Sequence, residues 1–211
     1  MFLKRFPFYL LATLCVSIGL YPIIYFVIDR RFGLLASKSE ALLAETLWNT
    51  AFYTHIILGG IALLVGWIQF SKKFRNKNLE LHRKIGKIYV LSVLISAVAG
   101  FYIALHATGG ISPKLGFLAM DLVWFFTTLF SFIAIKNGNV IKHQKLMIYS
   151  YAACFSAVTL RIWLPILSIS LNGFLPAYRI VAWLSWVPNI IVAYFIIKYQ
   201  FKNQQLKTTL S

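Results

Sequence analysis

Hydrophobic positions along the chain gather into six long runs, separated by short polar stretches. A run of about twenty apolar residues is long enough to cross the ~30 Å hydrocarbon layer of a bilayer as one helix. The six runs lie near residues 7–28, 51–70, 85–107, 115–135, 146–171 and 180–197. This pattern predicts an all-α, polytopic membrane protein with six transmembrane helices.

The polar stretches between the runs are too short to form a soluble domain. The longest, residues 29–49, carries Glu40 and Glu45 among alanines and leucines, which predicts a short helix at the membrane interface. Other connections contain glycine-bearing turns, at residues 109–110, 137–139 and 172–173. We therefore expect one integral membrane domain over residues 1–211.

Composition and charge support this assignment and orient the chain. The protein is 60% hydrophobic, with a mean hydropathy of +0.76 and a net charge of +16. If the runs alternate in direction, fifteen of the 21 lysines and arginines fall on one side and five on the other, with Arg161 inside a run. The positive-inside rule then predicts that both termini are cytoplasmic. The basic face predicts attraction to anionic lipids rather than to nucleic acid.

Two matched histidine motifs open the third and fifth runs. His82 lies in ELHRKIGKIY and His143 in KHQKLMIYSY, sixty-one positions later. Asn78 and Asn139 each precede a histidine by four residues, as helix N-caps would. Runs two and three form one hairpin and runs four and five another, so the two histidines are positional equivalents of a parallel repeat.

Each of the four central runs carries a polar or small-residue stripe at helical spacing. The stripes are His55, Gly59, Ala62, Gly66 and Gln69; His82, Gly86, Tyr89, Val93, Ala97 and Gly100; Asp121, Trp124, Thr128 and Ser131; and His143, Met147, Cys154 and Arg161. Small residues allow membrane helices to pack closely. The stripes thus predict a central four-helix bundle of spans 2 to 5 with a polar seam.

Ionisable side chains lie at the outer end of this seam. A charge inside hydrocarbon costs a few kcal/mol or more, so Asp121 and Arg161 are expected to face the bundle interior and each other. A structural ion pair and a role in substrate or proton handling both remain open. His55 shares this end of the seam, whereas His106 lies off it near the outer surface.

The histidine pair at the cytoplasmic end suggests a cofactor. Two neutral imidazoles on neighbouring helices can supply both axial ligands of a b-type haem, which makes His82 and His143 candidate ligands. Gly86 leaves space for the porphyrin edge, and basic side chains are available to the propionates: Arg83, Lys84 and Lys145. A metal ion alone is disfavoured, because no carboxylate or thiol lies at ligand spacing. The alternative is that each histidine forms hydrogen bonds at the interface.

Six spans with histidines in the central four resemble the cytochrome b561 family. In that family spans two and four hold one haem, and spans three and five hold the other. Here spans three and five offer His82 and His143, but the fourth span has Asp121 at the depth of His55 and no histidine. The resemblance therefore implies a relative with one haem.

Four segments resemble an uncharacterised bacterial family of predicted membrane proteins, a domain of unknown function. They are HIILGGIALLVGWIQF from His55, HRKIGKIY from His82, Gly116-Phe117, and HQKLMIYSYAACFSAVTLR from His143. The resemblance picks out His55, Gln69, His82, Arg83, Gly86, His143, Met147, Tyr151, Thr159 and Arg161. Gln144 and Leu146 stand where arginine and tryptophan are usual. The resemblance implies the bacterial inner membrane and brings no established activity.

Three functions remain open at this point. The first is a membrane electron carrier with one haem b between His82 and His143, exchanging electrons between a quinol and another redox partner. The second is a small transporter or proton-coupled permease with His55, Asp121 and Arg161 in its path, favoured by prolines at 165 and 188 that interrupt late spans. It is expected to act as a homodimer, because six spans are few. The third is a non-catalytic membrane scaffold.

Overall fold

The computed structural model describes residues 2–28 and 33–209, with side chains described for residues 9–28 and 33–201. Within these ranges every regular element is helical, which confirms the all-α fold. The α-helices are α1 Phe2–Gly19, α2 Ile24–Val27, α3 Glu40–Ala44, α4 Thr46–Gly66, α5 Lys72–Lys77, α6 Leu79–Leu105, α7 Ile111–Lys136, α8 Val140–Cys154, α9 Ser156–Ser170, α10 Phe174–Leu184 and α11 Val187–Thr209. Short 3-10 helices occupy Tyr21–Ile23, Gly33–Ser37 and Trp67–Phe70.

Six helical segments in the described ranges are long and apolar enough to cross a membrane, as the hydrophobic runs predict. They are Tyr9–Val27, Thr46–Phe70, Leu79–Leu105, Ile111–Lys136, Val140–Ser170 and Phe174–Phe201. The third and fifth spans each begin six residues before the hydrophobic run, because asparagine N-caps stabilise a polar first turn that hydropathy does not register. Asn78 Oδ1 accepts from Leu81 N, and Asn139 Oδ1 accepts from Lys142 N, both at 2.9 Å.

Spans two to five form the predicted four-helix bundle. The most extensive helix contacts join α4 to α6, α6 to α7, and α7 to α8, and α8 also packs against α4. The order around the bundle is therefore α4, α6, α7, α8, and α6 lies diagonally opposite α8. Outside the bundle, α1 packs on α4 and α9, α10 on α7 and α9, and α11 on α8.

Small residues set the closest helix approach on the outside of the bundle. A Cβ added at Gly60 of α4 would lie 2.6 Å from the carbonyl oxygen of Gly19 in α1, so the two backbones touch where these helices cross. A Cβ at Gly116 of α7 would lie 2.8 Å from the carbonyl oxygen of Ala182 in α10. Larger residues at either glycine would force the outer helices away from the bundle.

The outer loop folds into a cap over the bundle. Residues 29–32 lie outside the described residues, but a 3-10 turn at Gly33–Ser37 and α3 confirm the expected short helix. Lys38 Nζ donates to the carbonyl oxygen of His106 and, at 3.1 Å, to Thr108 Oγ1. This lysine therefore ties the outer loop to the turn between α6 and α7. His106 itself caps the end of α6, and its Nδ1 lies 3.1 Å from the carbonyl oxygen of Tyr102.

The last two spans are interrupted, although not where the prolines predict. The expectation that Pro165 breaks the fifth span is wrong, since α9 runs through it and the break lies at Phe155. The sixth span breaks at Ser185–Trp186, and Pro188 lies in the first turn of α11. Carbonyl groups freed at these breaks are satisfied by side chains, because Asn189 Nδ2 donates to the carbonyl oxygens of Ala152 and Ser185 at 3.3 and 2.9 Å.

Candidate functional site

The helices that carry the two motif histidines are in register with each other. The hydroxyl of Tyr89 in α6 lies 2.8 Å from that of Ser150 in α8, sixty-one positions later, across the bundle diagonal. His82 and His143 share this offset of sixty-one, and each lies seven residues before its helix's member of the hydroxyl pair. Seven residues are about two turns, or ~10.5 Å. The two histidines therefore lie at one depth, on helix faces that point toward the same axis.

The two imidazoles lie on diagonal helices within range of each other's charge. His82 is within electrostatic range of His143, and also of Arg75 and Arg83. His82 Nδ1 is buried and has no hydrogen-bond partner among the described residues. The histidine pair is thus assembled by the fold, at the end of the bundle where α6 and α8 begin.

Ser131 of α7 holds the His143 ring in one orientation. His143 Nδ1 lies 3.1 Å from the carbonyl oxygen of Ser131 and 2.9 Å from its hydroxyl, and this hydroxyl donates to the carbonyl oxygen of His143 at 3.1 Å. Because a carbonyl oxygen can only accept, Nδ1 carries the hydrogen. The lone pair is left on Nε2, and metal-ligating histidines are commonly held in this arrangement by a hydrogen bond from their other ring nitrogen.

Gly86 leaves open space one turn inside His82. A Cβ built at Gly86 would meet no atom within 4 Å, unlike one at Gly100 on the same helix. The basic residues expected beside this space have different surroundings. Lys84 forms an exposed ion pair with Glu80 at 2.7 Å, whereas Arg83 is exposed without such a pair in the described structure. Lys145 Nζ lies 5.1 Å from the ring centroid of Phe201.

Gln69 adds buried polar atoms near the same end of the bundle. It lies in the 3-10 turn that ends the second span, and neither its Oε1 nor its Nε2 has a partner in the described structure. One turn earlier, a Cβ at Gly66 would lie 2.9 Å from the Tyr89 ring, which places Gln69 near the level of Gly86. An unpaired buried polar group costs about 1–3 kcal/mol, so this carboxamide is available to hydrogen-bond a group held at this level of the bundle.

The outer end of the seam repeats the serine–histidine arrangement. His55 Nδ1 of α4 lies 3.0 Å from the carbonyl oxygen of Ser96 in α6, and Ser96 Oγ donates to the carbonyl oxygen of His55 at 2.9 Å. Sequence reasoning missed Ser96, which lies forty-one residues from its partner. Only the register between the two antiparallel helices of the hairpin could have identified it.

Asp121 and Arg161 do not pair, so the expectation that they face each other is wrong. Both are described, yet Asp121 is buried against Gly100 of α6, with Oδ1 lacking a partner. The Arg161 guanidinium lies 4.2 Å from the ring centroid of Tyr21, and Nη1 donates to the carbonyl oxygen of Ala157 at 2.8 Å. The prediction assumed a continuous fifth span, and the break at Phe155 changes the direction in which Arg161 points.

A partly open cavity of about 90 Å³ is lined by part of the seam. His55 and Arg161 both line it, together with Met120 and Trp124 of α7. The Asp121 side chain is not part of the lining, although the residue follows Met120 in the chain. The three residues of the predicted outer gate are therefore divided between two environments.

No cluster of three or more metal-ligating side chains forms in the part of the chain that the structure describes. A site with only two histidines suits haem iron, because the porphyrin supplies the other four ligands. The residues at the end of the bundle where α6 and α8 begin fit this requirement, with the lone pair of His143 on Nε2, His82 at the same depth on the diagonal helix, and space at Gly86.

Comparison with known proteins gives one match. The model of the family described as predicted membrane protein (DUF2306) matches residues 52–197, well over half of the chain. The matched region includes both histidine motifs and nearly all of spans two to five. No curated protein and no solved structure matches the chain, so the resemblance to cytochrome b561 proteins stays a prediction.

Proposed function

This chain belongs to the DUF2306 family of predicted membrane proteins, and we propose that it is a b-type membrane electron carrier with one haem between His82 and His143. A single observation carries this proposal: the Tyr89–Ser150 contact sets α6 and α8 in register across the bundle diagonal. Two imidazoles on diagonal helices at equal depth approach one axis from opposite sides, as the two axial ligands of a haem do.

The surrounding side chains have definable roles in this proposal. Ser131 holds His143 with the Nε2 lone pair available, and Arg83 is the basic residue available to a propionate. Gln69 offers an unpaired carboxamide close to Gly86. Further inside, the hydroxyl of Ser150 joins those of Tyr89 and Thr128, at 2.8 and 2.6 Å. This buried network closes the site toward the bundle centre and keeps water out.

A bound haem b would supply a one-electron couple whose potential depends on burial and on hydrogen bonds to the axial ligands. The partners that we propose are a quinol and a second redox partner. We place the protein in the bacterial inner membrane with both termini cytoplasmic, which puts the histidine pair at the cytoplasmic face. The basic helix α5 then lies beside anionic headgroups and favours their binding.

The alternatives receive less support from the geometry. A transporter would need His55, Asp121 and Arg161 to line one path. Asp121 and Arg161 occupy separate environments, so they do not form a charged gate together. The two interrupted spans are joined through Asn189, which also donates to Thr159 Oγ1 at 3.1 Å. They therefore pack as one unit rather than as independent gates. A non-catalytic scaffold would not require the two histidines to lie at the same depth.

Absorption spectroscopy tests the proposal. Protein purified from haem-replete cells should show a Soret band equivalent to about one haem per chain. The band should be lost in His82→Ala and in His143→Ala and retained in His106→Ala, whose ring lies at the other end of α6. Size-exclusion profiles establish that each variant is folded. A colourless, monodisperse wild-type protein would refute the proposal, as would a band that survives both substitutions.

A further inference from the structure

The cavity in the outer half of the bundle is separate from the histidine pair. It lies between α1, α4, α7 and the interrupted fifth span, and it has a volume of about 90 Å³. His55, on its wall, contacts Ser96, which is fourteen residues beyond His82 on α6, a rise of ~21 Å. A ligand in this cavity would therefore not contact a cofactor held by His82.

Arg161 is partly buried and gives the cavity a positive charge that no carboxylate among the described residues balances. Among the described residues its neighbours are the Tyr21 side chain and the carbonyl oxygen of Ala157, and Nε is buried without a partner. Guanidinium stays protonated in proteins, and a buried charge without a counter-charge is strongly unfavourable. The cavity therefore favours an anion.

One further side chain is available to an oxygen atom of such an anion. Ser156 Oγ donates at 2.9 Å to Met120 Sδ, and a thioether is a weak acceptor that an anionic oxygen can replace. His55 also lines the cavity, but its Nδ1 donates to the carbonyl oxygen of Ser96, so its Nε2 carries a lone pair and does not donate to the anion. Among the described residues, Arg161 and Ser156 are therefore the two donors on the cavity wall.

Size and shape narrow the class of anion. A cavity of 150 Å³ accommodates benzene, which has six heavy atoms, so 90 Å³ accommodates about four. Arginine binds planar carboxylates through two parallel N–H···O bonds. The remaining walls are apolar and include Ile18, Leu63 and Trp124, against which a methyl group packs. We propose that this cavity binds one small monocarboxylate of the size of acetate, with its carboxylate on Arg161.

Equilibrium dialysis of the purified, full-length protein with radiolabelled acetate tests the proposal. We expect saturable binding at about one acetate per chain. Acetamide, which has the same shape without the charge, and benzoate, which is too large, should compete at least tenfold more weakly than unlabelled acetate. Failure of wild-type protein to bind acetate saturably would overturn the proposal, as would equal competition by acetamide or by chloride.

Matched arginine variants locate the site. Arg161→Gln should weaken acetate binding at least tenfold, whereas Arg179→Gln, at an exposed arginine near the same end of the bundle, should leave it unchanged. Unchanged binding in Arg161→Gln would overturn the proposal. If that variant does not fold, Ser156→Ala serves instead and should weaken binding severalfold without changing the Soret band. Acetate binding by Ser156→Ala at wild-type affinity would then count against the site.

Discussion

Asp121 occupies the space that Gly100 leaves on the neighbouring helix, and its Oδ2 would lie only 2.5 Å from a Cβ at that glycine. Asp121 is buried, and its Oδ1 has no partner among the described residues. An acidic side chain thus packs against a backbone surface at the α6–α7 contact. This relationship, rather than an ion pair with Arg161, defines the surroundings of the intramembrane carboxyl group.

Gly100→Ala should destabilise the fold, because the new methyl group forces the Asp121 carboxyl out of its position. Overpacking of this kind costs about 1–3 kcal/mol. Gly86→Ala on the same helix is the control when both variants are compared as haem-free protein, since its Cβ meets no atom within 4 Å, and it should leave the unfolding free energy unchanged or raised. Thermal unfolding in detergent measures both. The double variant Gly100→Ala/Asp121→Ala should be less destabilised than the sum of its parts, and strict additivity would contradict the contact.

The serine partners of two histidines give a matched pair of variants. Ser131→Ala removes a hydroxyl contact that orients His143, so haem affinity should fall about 10- to 100-fold, as happens when partners of metal ligands are removed. Ser96→Ala removes the equivalent contact from His55 and should leave haem affinity unchanged. Transfer of haem to an excess of apomyoglobin measures the difference. Equal effects of the two substitutions would argue against His143 as a ligand.

Lys38 should make stability depend on pH. Burial, together with the nearby charge of Lys114, lowers the pKa of Lys38 from 10.5 to about 8. Between these values the unfolded chain binds a proton that the folded protein has released, so stability should rise with pH from about 8 to 10.5. Thermal midpoints at pH 7.5 and 9.5 measure the rise.

Lys38→Met should remove this contribution, whereas Lys136→Gln, at an exposed lysine, should retain it. The Met variant also loses the hydrogen bonds to His106 and Thr108, but that loss does not vary with pH. A rise of the same size in Lys38→Met and in the wild type would show that another group is responsible.

Orientation in the membrane can be tested with single cysteines, because Cys15 and Cys154 are buried. Glu40→Cys should react with an impermeant maleimide on intact cells, and Asn76→Cys only after the membrane is permeabilised. Both positions are exposed, whereas Leu35 in the same outer loop is 1% exposed and would not label on either side. The opposite labelling pattern would reverse the topology and move the histidine pair to the outer face.

Several local features of the fold could be read from the chain. The N-caps at Asn78 and Asn139 depend on contacts three residues away, and both form as predicted. The equivalence of His82 and His143 follows from an offset of sixty-one, and the Tyr89–Ser150 contact has the same offset. In each case the information is local, or is repeated along the sequence.

Other features were beyond sequence reasoning, because they depend on how separate helices meet. The partners of His55 and His143 are serines on adjacent helices, and the break at Phe155 has no proline or glycine to mark it. That break directs Arg161 toward Tyr21 and overturned the predicted ion pair.

The sequence by itself determined the six spans and the bundle at their centre. In hydrocarbon no water is present to hydrogen-bond the backbone, so each span must be a long helix with mostly apolar side chains. It also determined which residues share a helix face. Only the tertiary structure decided which faces meet, since in lipid all helices are similarly apolar and small differences in close contact and hydrogen bonding select their neighbours. That selection put His82 and His143 at one depth on diagonal helices, and Asp121 against Gly100 rather than beside Arg161.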